Sequence, residues 1–105
     1  MARPSPRVKR SAGAYAAANT PVNSVAPAIT GATTLGAVLT CSTGTWSLTP
    51  TISYQWRRNA VAITGETAAT HTIVAADQGT NVSCTVKAVK NGVQAVATTA
   101  NIAIP

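Results

Sequence analysis

The sequence predicts an all-β fold, and three observations carry that expectation. Val, Ile and Thr make up about a third of the 105 residues, and their branched β-carbons suit a pleated, half-buried surface better than a helix. From Val25 onward, short runs of these residues alternate with turn signals at intervals of roughly 8 to 12 residues, the spacing of a sandwich or barrel. Aromatic residues supply only 4% of the chain and Phe is absent, so the core is built from small aliphatics around very few rings. A chain of this length forms one domain, and no apolar run is long enough for a membrane-spanning helix.

The first segment, residues 1–24, has a different texture. It carries Pro4, Pro6 and Pro21, a short Ala cluster around Tyr15, and four of the eight cations, Arg3, Arg7, Lys9 and Arg10, all within the first ten residues. Neither a period of two nor a capped amphipathic helix is present, so an extended arm is expected. The basic start resembles the opening of a secretory signal, but the Ala- and Gly-rich stretch that follows is too weakly apolar for an h-region. The arm is therefore expected to be retained and to lie on a partner surface, since a polar terminus orders only when something holds it.

From residue 25 to residue 105 the spacing predicts strands near 25–30, 36–42, 51–58, 60–64, 69–74, 81–89 and 93–103. Asn91-Gly92 is the firmest hairpin turn, because that dipeptide accepts the positive φ angles of a tight reversal. Asn59-Ala60 is a weaker one. Alternation assigns the faces: Ile52, Tyr54 and Trp56 share one side of their strand, Val82, Cys84, Val86 and Ala88 share one side of theirs, and Leu39 and Cys41 point together. Trp56 is expected to pack over the Cys41 and Cys84 pair as the pin of the core, with Tyr54 beside it.

The layout of Cys41, Trp56 and Cys84 resembles the immunoglobulin fold. A closer resemblance is to bacterial and bacteriophage immunoglobulin-like modules, carried by Pro27-Ala-Ile29-Thr-Gly31, Gly36 to Leu39, Gly44-Thr-Trp46, Tyr54-Gln-Trp56, Thr64-Gly65 and Ala75-Ala76-Asp77-Gln-Gly79. The resemblance covers residues 25–105 and implies a Greek-key β-sandwich of about seven strands. It departs from vertebrate-type domains at Val82, where a tyrosine two residues before the second Cys would form the corner hydrogen bond. It also places His71 where modules of this kind carry an aromatic, so a half-buried ring filling that space is expected there.

Chemistry-bearing constellations are scarce. Glu66 and Asp77 are the only acids, and Asp77 reads as a turn residue ahead of its strand, so a catalytic carboxylate pair is not expected. One His and two inward cysteines do not make a zinc site, and no P-loop, Gly-x-Gly-x-x-Gly or Gly-x-Ser-x-Gly occurs. No cofactor is expected. Cys41 and Cys84 fit either two core thiols or a bridge; the bridge is the expectation for the mature protein and would add about 4 kcal/mol in the chain-entropy model.

Partners follow from the arm and the resemblance. Four terminal cations suit an acidic protein surface; nucleic acid is disfavoured, because the folded part offers only Arg57, Arg58, Lys87 and Lys90 and no interleaved aromatics. The resemblance implies a virion accessory protein, and with the arm it points to a non-enzymatic capsid decoration protein, present in many copies on a symmetric shell and displaying its domain on the outer surface. The alternatives are a tail or portal-vertex component and a host-glycan adhesion module. For the last, Trp46 in the Gly-x-Trp turn is the candidate contact, against a structural role closing one end of the sandwich.

Overall fold

The computed structural model describes residues 20–105; the expectations for Arg3, Arg7, Lys9, Arg10 and Tyr15 lie outside the described residues. Within them the chain is all-β, and its strands run in the order β1 (Asn23–Val25), β2 (Ile29–Thr30), β3 (Val38–Cys41), β4 (Thr45–Trp46), β5 (Thr51–Arg58), β6 (Val61–Ala62), β7 (Thr70–Thr72), β8 (Asn81–Lys90), β9 (Val93–Thr98) and β10 (Ile102–Ala103), with a single 3-10 turn at Ala75–Asp77. All pairings are antiparallel.

Three sheets result. The largest runs β10-β8-β5-β6, with β9 also on β8; a second runs β2-β3-β7; and β1 with β4 forms a ribbon. Strand β5 takes one side of β8 along Val82 to Val89, so β10 and β9 divide the other side between them, β10 against Asn81 and Val82 and β9 against Thr85 to Lys90. The apolar residues of β5 and β8 meet across the ladder, Ile52 opposite Ala88, Tyr54 opposite Val86 and Trp56 opposite Cys84. The core lies where this row faces Leu39 and Cys41 of β3, and Ile73 and Ile104 complete it. Each fully buried Val, Leu or Ile contributes roughly 1.5–3 kcal/mol, so the small aliphatics together outweigh any single contact in the domain.

Apart from shifts of one or two residues at strand ends, the strands differ from expectation at three points, each for a local reason. The run 25–30 splits into β1 and β2, in different sheets, around buried Pro27, which has no N–H for a ladder. The run 93–103 breaks at Thr99, whose hydroxyl accepts the Cys84 N–H at 3.0 Å where a strand carbonyl would, and donates to the Ala100 carbonyl. The two-residue β4 is too short to show a period. Strand pairing begins at Asn23, two residues before the texture change at Val25.

Both hairpin turns take left-handed backbone. Asn91 and Gly92 have φ of 51° and 79°, and Asn59 and Ala60 have 49° and 66°. The second is anchored from outside: the Asn59 N–H donates to the Asn81 carbonyl at 2.7 Å, and the Asn81 N–H returns to the Asn59 side chain at 3.0 Å. Gly44 is fixed by close approach, since a β-carbon at φ 71° would overlap the Val25 carbonyl and press on Pro27.

Candidate functional site

Trp56 is the centre of the described domain. It is wholly buried, its indole N–H donates to the Ala68 carbonyl at 2.7 Å, and its ring stacks on His71 with centroids 5.4 Å apart and 29° between planes. Half-buried Tyr54 lies along the same face. Burial raises its phenol above the ordinary value, with the two cysteines adding to the effect.

Cys41 and Cys84 are both buried and are present as thiols, not as the bridge weighed for the mature protein. Burial pushes both thiols up; the partner thiol adds to the rise at Cys84, which reaches about 12, and offsets part of it at Cys41. Each donates weakly to a nearby carbonyl, Cys41 to Ser42 at 3.3 Å and Cys84 to Thr85 at 3.8 Å. A thiol so far from ionising is a poor nucleophile and a good small core residue.

The polar centre of the domain is a cluster the sequence did not reveal. Both acids of the chain converge on its single His. His71 on β7 is 3% exposed; its Nδ1 meets Glu66 Oε1 at 2.5 Å and its Nε2 meets Asp77 Oδ2 at 2.8 Å. The Asp77 carboxylate is completely buried and fully partnered: Oδ2 also accepts the Val74 N–H at 3.0 Å, while Oδ1 accepts both Nε and Nη2 of Arg58 at 2.7 Å. Burial alone would raise the Asp77 carboxyl. The Val74 N–H, His71 and Arg58 outweigh it and hold the group below the usual carboxylate range.

Local structure explains why the four groups meet. The 3-10 turn at Ala75–Asp77 folds the Asp77 side chain back onto the Val74 N–H, leaving it buried beside His71. Arg58 ends β5 beside it, and the paired neighbour of His71 on β3 is Leu39, which keeps the ring in the core layer. Each imidazole nitrogen faces one carboxylate oxygen. Every polar atom of His71 and Asp77 is thereby occupied, and neither side chain offers a reacting atom to solvent. The expectation of a half-buried ring at position 71 understated the burial, and the reading of Asp77 as a turn residue missed its second role. The available signal was that the chain's only His and only two acids fall within one twelve-residue window, residues 66–77.

The remaining candidates are less enclosed. Trp46 is half-buried against the core cluster, and its indole N–H donates to the Thr43 carbonyl at 2.7 Å. On the outer face of β5, β8 and β9, Arg57 and exposed Lys87 flank a groove of about 410 Å³ that Val96 also lines. Arg57 is tethered there, Nε to the Thr85 hydroxyl at 2.9 Å and Nη1 to the Ala60 carbonyl at 3.2 Å. Among the described residues no group of three or more His, Cys, Asp or Glu is placed to hold a metal ion, and no helix is long and apolar enough to cross a membrane.

Comparison with known proteins adds no relative: no protein-family profile, curated protein or solved structure matches the chain.

Proposed function

We propose that the chain is a non-catalytic immunoglobulin-like module of a bacteriophage virion, a capsid decoration protein anchored through its basic N-terminal segment. One observation carries the reading: the single His, both acids and Arg58 are engaged with one another, while four of the eight cations are crowded into the first ten residues. The folded half then serves as scaffold, and most of the unmatched charge sits ahead of it. The sandwich reading is supported by β2-β3-β7 and β10-β8-β5-β6 sharing one core, with Cys41, Trp56 and Cys84 meeting at its centre.

A segment holding Arg3, Arg7, Lys9 and Arg10 suits an acidic groove on a shell subunit, and repetition over a symmetric lattice multiplies a small contribution per copy. The host-glycan alternative loses ground at Trp46, whose N–H is already bound to Thr43 and whose ring packs on the core.

The test is co-sedimentation with virions of the encoding phage stripped of this protein. The full chain is expected to pellet with the particles, with binding that weakens as salt rises. A variant with all four terminal cations changed to Ala is expected to stay in the supernatant while retaining its fold. Equal binding by both would refute the anchor.

A further inference from the structure

Sheet edges are open hydrogen-bonding templates, and natural proteins shorten, charge or cover them. Most edges of this domain follow that rule by length: β6 and β2 have two residues each and β7 has three. Strand β9 does not. Its six residues, Val-Gln-Ala-Val-Ala-Thr, contain no charge and no proline, Val96 is 60% exposed, and among the described residues β8 is its only partner strand.

The ladder parity shows which groups the open side presents. The Asn91-Gly92 reversal makes Lys90 and Val93 a hydrogen-bonded pair. At the far end the Thr99 N–H donates to the Cys84 carbonyl at 2.9 Å, the same parity six positions on. Between them the bonded pairs are Ala88 with Ala95 and Val86 with Ala97. The N–H and C=O groups of Gln94, Val96 and Thr98 therefore point away from β8 to the open edge, and no other backbone group among the described residues takes them.

We infer that β9 is a pairing edge for a second copy of this chain, joined antiparallel about a two-fold axis at Val96. In that register Val96 lies opposite Val96, and Gln94 lies opposite Thr98 on either side, so three outward residues of each strand exchange bonds with three of the other. The pairing is self-complementary. A β-branched pair occupies the axis, amide–hydroxyl pairs flank it, and all six side chains lie on the exposed face.

Charge and composition favour this occupant over the chain's own basic segment. Lys87 stands opposite Val96 one strand inward. In the joined sheet two Lys87 side chains are three strand spacings apart, roughly 14 Å, beyond the screening length of about 8 Å at physiological salt. Residues 1–10 would instead lay four cations beside Lys87 and Lys90, and Pro4 and Pro6 have no N–H to give. The inference does not rest on the anchoring proposal, since its observations all lie in β8 and β9.

The test uses the full chain. Sedimentation equilibrium is expected to show a monomer–dimer equilibrium, and V96K, which puts like charges on the axis, is expected to weaken it on the order of tenfold or more without lowering the unfolding midpoint. The register is read by single Cys variants under mild oxidant, because buried Cys41 and Cys84 do not compete. V96C is expected to cross-link to itself. Q94C is expected to cross-link to T98C but not to itself, its own copy lying roughly 14 Å away along the strands. A chain that stays monomeric at millimolar concentration overturns the inference. So does a dimer untouched by V96K, or self-linking of Q94C as fast as that of V96C.

Discussion

Trp56 separates two regions built on opposite principles. On its β8 side the ladder sets it opposite Cys84, and Cys41, Leu39, Val82 and Val86 share the buried cluster, with the sulfur atoms making only weak bonds to carbonyls. On the other side it stacks on His71, behind which Glu66, Asp77 and Arg58 close an ionic network around a carboxylate with no exposure. The first region is stabilised by non-directional burial and tolerates substitutions of similar volume. The second depends on geometry, because a buried charge is tolerable only while each partner is in place. The cluster therefore closes the core layer beside the 3-10 turn, and removing one of its buried partners is expected to cost more than the intact network contributes net.

The comparison is broken most severely at its hinge. Trp56→Ala removes the shared ring and is expected to cost about 3–5 kcal/mol, a large share of a total stability of roughly 5–15 kcal/mol, read by urea unfolding. Next, Asp77→Ala strands Arg58 and His71 and is expected to cost about 3 kcal/mol. If the ionic side were dispensable, Asp77→Ala would melt like the parent.

The two regions also separate by pH. The folded Asp77 carboxyl lies below its ordinary value of 3.8, so its contribution is complete above that value and is lost as pH falls from there toward the folded value. Unfolding midpoints measured below pH 4 are expected to fall more steeply for the parent than for Asp77→Asn. At the alkaline end the sign reverses. Cys84 is raised from 9.0 to about 12, so the neutral thiol stabilises the fold fully below pH 9, and the contribution is lost between 9 and 12. At neutral pH both thiols are expected to resist a water-soluble thiol reagent until urea is added. The smallest effect belongs to Glu66→Gln: its side chain is 39% exposed, and a loss under about 1 kcal/mol is expected.

How much of this was legible in the sequence follows the same division. Period-two alternation placed Ile52, Tyr54 and Trp56 on one face and Val82, Cys84, Val86 and Ala88 on another, because burial of a strand face leaves a local record in every second residue. The ionic cluster left none. Arg58 and Asp77 are separated by 19 positions, and their meeting depends on the 3-10 turn that folds the Asp77 side chain back onto the Val74 N–H. The break at Thr99 was hidden for a similar reason, since a hydroxyl replacing a ladder carbonyl looks like any strand threonine. The open β9 edge was invisible too, as a strand's place in its sheet is not a property of its own residues.

Scaffold and anchor are separable if the functional account holds, and one paired measurement on the full chain tests that most directly. Particle co-sedimentation and thermal unfolding are recorded together for Asp77→Asn and for the variant lacking the four terminal cations. The account predicts that Asp77→Asn lowers the melting temperature but still binds particles below it, whereas the charge variant melts like the parent and fails to bind. Loss of binding in folded Asp77→Asn, with binding retained by the charge variant, would contradict it.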